Sequence, residues 1–476
     1  MLHQLRHIPT VGGPSLPILS YIGVYNYYFN NGKTVQEGYD KYKGKVFKIA
    51  LLDRWLVVLT GKELVEDLKR FDDTKISFHL GATETIGNAF VFGLEVWNPP
   101  YHVELIRSAL TRHIIPFFGT IYDEIETSFR DLVPVEDKEW VPIHAIDVMR
   151  EIVARVSGRV FVGLPYCRNP KYLDVAMNIA IDLSHLRKYL AVVPQFLKPA
   201  YARYMSGINW RLKQGLEVLE PEIRRRIEGL KLHGKDDWED KPEDLLMWIT
   251  EEGVQRGQDV ETIMRNLMLA IFAAIHTSSN TFTHALYHIA ANPALLQPLR
   301  EEVERVLAEE GWSKAGMAKM RRIDSIMKES LRLNGIHQSS ITRKTLQDVY
   351  LFDGTFIPAG TLLITPTVAT HHDEAYYKDP WTFDPWRFLD LRNEDDGSLK
   401  YQFVTTSTEF IGFGHGRHSC PGRFFAANEL KAMMAYIVAN YDVKFENEGV
   451  RPTDEHTIMT VNPDQTAKVL FRKRQV

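Results

Sequence analysis

Hydrophobic and polar positions along the chain follow two periods, and the helical one dominates. Residues Lys45 to Thr60, KVFKIALLDRWLVVLT, form two β-rich apolar runs around the polar pair Asp53–Arg54, which predicts two short strands. A second hairpin is predicted in VYLFDGTFIPAGTLLITP, Val349 to Pro366, where Asp353–Gly354 is a strong turn signal. Between these regions the pattern is overwhelmingly helical. The longest predicted helix runs from about Val260 to Ala291, and a shorter one carries MKESLRL, Met327 to Leu333. Another is PGRFFAANELKAMMAYIV, with Pro421 in a first-turn position where proline is tolerated. The charged stretch LHGKDDWEDKPED, Leu232 to Asp244, holds Gly and Pro and is the best loop candidate in the middle of the chain. The expected fold class is mainly α with a small β portion near the N-terminus.

Composition narrows the function classes. The chain has 476 residues, 45% of them hydrophobic and 25% charged, which is the balance of a soluble globular protein. Its formal net charge of −4 lacks the basic excess of a nucleic-acid binder. Length alone suggests about three domains, with large single folds as the known exception. No run reaches the ~20 consecutive apolar residues of a membrane-spanning helix, and no signal peptide opens the chain. There is no internal repeat or low-complexity tract. Two cysteines cannot build a disulfide framework, which fits a reducing, cytosolic environment.

One of those cysteines sits in unusual company. In FGHGRHSCPGRFFA, Phe413 to Ala426, Cys420 follows Gly412, Gly414 and Gly416 and precedes the apolar helix. Glycines permit a close backbone approach and turns that a β-carbon forbids, and a helix N-terminus favours a thiolate, the metal-binding form. Three other readings stand beside this one. A lone intracellular cysteine is most often a small buried hydrophobe, which suits Cys167 in RVFVGLPYCRNP. A zinc site from His415, His418 and Cys420 lacks the usual fourth ligand, and the glycines do not follow the phosphate-binding G-x-G-x-x-G spacing.

The loop resembles the haem-binding loop of the haem-thiolate monooxygenases, the cytochrome P-450 family, whose pattern is FxxGxRxCxG. Phe413, Gly416, Cys420 and Gly422 match it directly, while His418 stands where most members carry arginine. Histidine there, followed by CPGRFFA, resembles the fungal branch. Glu329 and Arg332, three apart on one helix face, match the family's ExxR pair. FDPWRF resembles its PxRF element, so that Arg387 completes a Glu329–Arg332–Arg387 cluster behind the haem. An isolated Glu/Arg pair would be a surface contact of little value, but these motifs follow the family order. RVFVGLPYCRN and DLLMWI extend the likeness to fungal members through most of the sequence.

The resemblance implies one catalytic domain over residues 1–476, with a hinge-like start over 1–20, and haem b between the central long helix and the cysteine-loop helix. Cys420 would be the axial iron ligand. Further cofactor contacts would come from Phe413, Gly414, His418, Gly422, His102, Arg107, Arg343 and Ala273. In the long helix, Ala273-Ala274-Ile275-His276-Thr277 resembles the oxygen-binding A-G-x-D/E-T motif, so Thr277 and His276 are the catalytic candidates, organising proton delivery. His276 replaces the usual acid and is open to a second role, a core histidine bonded to Asn280.

By the same resemblance, the segments that line the family's substrate cavity would be Thr85 to Trp97, Leu183 to Phe196, Ala270 to Thr277, Gly335 to Ile341 and His456 to Thr460. They are mostly apolar, as a lipophilic small molecule requires. An NADPH-dependent flavoprotein reductase, docking on Arg107, Arg112, Arg417, Arg423 and Lys431, would supply electrons, with cytochrome b5 as a further donor. The N-terminal segment resembles the hinge after a membrane anchor, either removed or lacking in this member. LRKYLAVVPQFLKP, Leu186 to Pro199, is a candidate for contact with the endoplasmic reticulum membrane. Implied are a monomer with no nucleic-acid partner and the hydroxylation of a lipophilic secondary metabolite such as a terpenoid. The alternatives are xenobiotic detoxification, a reductase-independent isomerase or dehydratase, and a haem sensor.

Overall fold

The computed structural model describes residues 4–87, 89–93, 95–97, 99–135, 139–190, 193, 197–205 and 207–475. They group into two compact units, each assembled from separate chain segments. The first comprises Met1–Gly87, Lys328–Cys420 and Thr453–Pro463; the second comprises Asn88–Met327, Pro421–Pro452 and Asp464–Val476.

The first unit is built on a six-stranded sheet, in the order Thr10–Val11, Val46–Ala50, Trp55–Leu59, Leu362–Pro366, Ser339–Thr345 and Ile76–Ser77. VFKIA and WLVVL are buried at every position, which explains why neither alternates; the one charge, Lys48, is satisfied by the Leu5 and Ile8 carbonyls, each at 2.6 Å. They pair antiparallel with Ala50 opposite Trp55, as the sequence predicted. The second predicted hairpin also forms, Val349–Tyr350 against Phe356–Ile357, with Gly354 at φ +82°. The run that follows it, Leu362–Pro366, leaves the hairpin and joins the large sheet beside Trp55–Leu59. One face of this sheet closes over Val57, Leu59, Leu363 and Ile411, the other over Phe47, Val58 and Ile364.

The second unit is helical. Its axis is the helix Val260–Ala291, whose N-cap Asp259 accepts a hydrogen bond from the Thr262 amide at 2.8 Å. Against it packs Ala145–Phe161, buried along most of its length, and Thr111–Leu132 packs on Ala145–Phe161. The helix Arg423–Asn440 joins this core through Phe425 against Phe161, ring centres 5.7 Å apart, and Tyr436 against Phe129 at 5.0 Å. The loop predicted over 232–244 lies between helices Ile208–His233 and Leu245–Gln255.

Two expectations need correction. The β portion is not confined to the N-terminal region: Tyr441–Lys444, Lys468–Lys473 and Val141–His144 form a three-stranded sheet that draws on the C-terminus. The helix after the cysteine starts at Arg423, with Gly422 as its N-cap residue, so Pro421 lies outside it.

Candidate active site

The Glu329–Arg332–Arg387 cluster forms, and it is no surface pair. Glu329 and Arg332 are fully buried on the helix Arg321–Leu333. Arg332 grips the carboxylate through Nε and Nη2, both at 2.8 Å, and Arg387 Nε reaches Oε1 at 3.0 Å. The remaining guanidinium donors find carbonyls: Arg332 Nη1 donates to His371 and Pro380, both at 2.7 Å, and Arg387 Nη1 to Lys378 at 2.6 Å. A buried ion cluster endures only when its donors are satisfied in this way.

In the same unit, the cysteine loop is a series of tight turns. Gly414 and Gly416 have φ of +69° and +73°, a region that side chains strain to enter. The Gly414 amide donates to the Ile411 carbonyl at 2.9 Å, and the Cys420 amide to the Phe413 carbonyl at 2.8 Å. The Phe413 ring meets Phe403 edge-on at 5.3 Å. Cys420 is half-buried in this turn and forms no disulfide. The zinc alternative loses both of its histidines, since His415 Nε2 turns to Glu66 at 3.2 Å and His418 Nε2 to Asp73 at 2.6 Å.

His418 brings with it a cluster of rings that sequence reasoning missed. Its ring stacks on Phe78 at 5.2 Å and meets His79 edge-on. The same Phe78 ring lies 5.4 Å from the guanidinium carbon of Arg343. Arg343 is only 5% exposed, and its Nη1 donates to the Thr342 carbonyl at 2.9 Å. Among the described residues no carboxylate pairs with it, and burial pulls its pKa down to about 10. Asp73, Phe78 and His79 form no motif in the sequence; only the fold gathers them.

The helical unit holds the other candidates. The long helix is buried along most of its length, but Ala273 is exposed and Phe272, Ala274, His276 and Thr277 are half-buried, so its small residues coincide with an open face. Thr277 Oγ1 donates to the Ala273 carbonyl at 2.7 Å, and His276 Nε2 lies 3.5 Å from Asn280 Nδ2, the partner anticipated for a core histidine. His102 is buried with Nδ1 2.9 Å from Asn266 Oδ1, whereas Arg107 is exposed and bound to Glu104 at 2.7 Å. Lys431, expected on a docking surface, is instead buried and paired with Asp324 at 2.7 Å. Gly422 caps its helix. Of the substrate-lining segments, residues 88, 94, 191, 192 and 194–196 lie outside the described residues, as do the side chains of Ile86, Ala89, Phe90, Ser184, Arg187 and Lys188, and with them much of the candidate membrane segment 186–199.

Comparison with known proteins gives the family. The family model for cytochrome P450 matches residues 11–471. Cytochrome P450 monooxygenase 151 of Postia placenta is 45% identical, the alignment covering 99% of this chain and 94% of the relative. Cytochrome P450 monooxygenase CYP512U6 of Ganoderma lucidum is 33% identical over 99% and 92%. Cytochrome P450 monooxygenase AN1598 of Emericella nidulans is 32% identical over 93% and 83%. The chain therefore belongs to the cytochrome P450 family. It is a haem-dependent monooxygenase, of a family that uses haem b and typically draws electrons from a reductase.

Proposed function

We propose that the protein hydroxylates a lipophilic small molecule in fungal secondary metabolism, such as a terpenoid, with Cys420 as the axial thiolate ligand of haem b. The half-buried thiol held in a glycine turn carries this reading, because a reactive cysteine needs both access and a fixed backbone. Haem, when bound, supplies dioxygen activation. The protein's own residues fit that group. Arg343 is a buried cation suited to a carboxylate in the planar, bidentate manner of arginine, and Ala273 opens a flat helix face. Thr277 and His276 hold and move protons beside that face.

In the net reaction one atom of dioxygen enters a C–H bond and the other leaves as water, with a pair of electrons from NADPH and a pair of protons. A flavoprotein reductase delivers the electrons, with cytochrome b5 as a further donor. Arg107, Arg112 and Arg417 are the exposed cations in its candidate docking set. Changing Thr277→Ala is expected to lower product formed per NADPH severalfold and to raise peroxide; unchanged product yield and peroxide would remove Thr277 from proton delivery.

A lipophilic substrate is favoured because two polar side chains of the lining segment, Gln338 and Ser340, are already engaged. Gln338 Nε2 lies 3.0 Å from His456 Nδ1, and Thr367 Oγ1 donates to Ser340 Oγ at 2.6 Å. Ile336 and Met459, both half-buried, remain for apolar contact, whereas Ile341 is packed into the core of the first unit. The experiment is a screen of terpenoids and aromatic xenobiotics for shifts of the haem Soret band, followed by mass analysis of products with reductase and NADPH. Terpenoids are expected to shift the band and gain one oxygen. Response to aromatic compounds alone would favour detoxification, and turnover without NADPH an isomerase or dehydratase.

We further propose that the protein works at the cytosolic face of the endoplasmic reticulum. No described helix is long and apolar enough to cross a membrane. Ile18, Tyr25 and Phe29, at and before the helix Tyr21–Phe29, nevertheless present exposed apolar side chains. Flotation with lipid vesicles tests this, and binding that survives Ile18→Asp combined with Phe29→Asp would count against that surface.

A further inference from the structure

His371 belongs to none of the sequence motifs, yet it stands between the buried ion cluster and the cysteine loop. Its Nδ1 lies 3.1 Å from the Arg332 carbonyl, and its Nε2 accepts from the Ile411 amide at 3.0 Å. The ring stacks flat on Phe410, 5.3 Å between centres, and its own carbonyl receives Arg332 Nη1. An amide N–H can only donate, so Nε2 carries no proton and the tautomer is fixed as Nδ1–H. Burial beside Arg332, His372 and Lys328 keeps the imidazole neutral.

From Ile411 the contacts run on into the loop. The Ile411 carbonyl takes the Gly414 amide, and the Phe413 carbonyl takes the Cys420 amide. Gly412, between Ile411 and Phe413, leaves no room for a side chain: a β-carbon there would lie 3.0 Å from the Leu331 side chain and 3.7 Å from His371 Cε1. The ion cluster thus touches the run-up to the cysteine turn through one imidazole.

We propose that His371 is a positioning residue for the axial thiolate: by accepting the Ile411 N–H it fixes the start of the Phe413–Cys420 turn and hence the backbone that aims Cys420. This rests on Cys420 being the haem ligand. The test compares haem-loaded His371→Gln, His371→Asn and His371→Phe. The readout is the Soret position of the reduced carbon monoxide complex, which separates thiolate from neutral-thiol ligation. Glutamine places an acceptor where Nε2 was, whereas asparagine reaches only the Arg332 carbonyl, and phenylalanine keeps the stack alone.

The glutamine variant should match wild type. The asparagine and phenylalanine variants should raise the neutral-thiol share about fivefold, the weight of one net hydrogen bond. A merely structural role would move glutamine and asparagine together, so equal behaviour of those two overturns the proposal, even where the phenylalanine variant does not fold. Wild type and Cys420→Ala are run alongside. A thiolate band that survives Cys420→Ala overturns the ligand assignment. A band lost there but unmoved in His371→Asn overturns only the role of His371.

Discussion

The two cysteines of this chain have similar neighbours and opposite prospects. Cys167 lies beside a buried glutamate held by two arginines, and the contacts that support the Cys420 loop lead back to another. Beside Cys167, Glu124 is bound by Arg155 Nε at 3.0 Å and Arg168 Nη2 at 2.7 Å; supporting the Cys420 loop, Glu329 is bound by Arg332 and Arg387. An ion cluster therefore does not mark a reactive thiol. What separates them is the backbone. Cys167 sits in a 3-10 turn, fully buried against Gly158 and Tyr172, and burial, then the Glu124 charge, pushes its thiol up to about 11. Cys420 sits half-buried in a turn opened by two left-handed glycines.

The largest effect expected from this contrast is all-or-none. Cys420→Ala should abolish the thiolate Soret signature and all NADPH-dependent product formation, while Cys167→Ala leaves both at wild-type levels. Loss of the signature in the second variant would break the comparison at its root, and spectroscopy of the two purified proteins decides it.

Next come the ion clusters. Glu329→Gln strands two buried guanidiniums and should cost about 3–5 kcal/mol, seen as a lower unfolding midpoint and poor haem retention. Glu124→Gln should cost less, because Arg168 is 38% exposed and can turn to solvent. Its haem spectrum should stay normal. A spectral change on removing Glu124, measured at matched haem content, would show that its cluster reaches the cofactor after all.

Much of this was legible in the sequence, and for identifiable reasons. The helix Val260–Ala291 was readable because apolar positions run its length, and the structure adds the Asp259 cap that fixes its start. Glu329 and Arg332 were readable because three residues on a helix bring two side chains together whatever the tertiary fold does. Lys431 was misread: helix Arg423–Asn440 is buried nearly all round, so its one lysine is held by Asp324 rather than by solvent. Asp73, Phe78, His79 and His371 were invisible. Each acts on a residue tens to hundreds of positions away, and no local spacing encodes such a meeting. The start of the helix at Arg423 was missed because Pro421 suits a first turn but equally suits the extended residue ahead of one.

Stability against pH should divide between the two sides. In the first unit His371 and His372 are held neutral by burial, with pKa values pulled from 6.5 to about 3 and about 4. The unfolded chain takes up their protons first as pH falls. Stability is therefore intact above pH 6.5 and drops below it, on the order of 1.4 kcal/mol per pH unit for each group, until its folded pKa is reached. The Cys167 thiol acts at the other end, since the unfolded chain releases its proton first and stability falls between pH 9 and about 11. In denaturant titrations of the haem-loaded protein, His371→Gln should flatten the acid limb alone and Cys167→Ala the alkaline limb alone. Flattening of the opposite limb by either variant would contradict the division.

The smallest effect tests whether Cys167 has any chemistry. As a small buried hydrophobe it should tolerate Cys167→Ala at about 1 kcal/mol, the order of a buried methyl-sized group. Cys167→Ser preserves the shape but buries a hydroxyl, which should cost about 1–3 kcal/mol where no partner compensates it. The space is already full there, because a β-carbon added at Gly158 would come within 3.1 Å of the Cys167 Cβ and 3.2 Å of Tyr172, so the serine cannot move to find one. Alanine should thus be milder than serine, the order expected of a packing residue. Were serine the better tolerated, the polar neighbours Arg155 and Arg168 would be reaching the sulfur position, and Cys167 would share more with Cys420 than burial suggests. Chemical unfolding of the two variants, each with its haem spectrum as an internal control, gives the order directly.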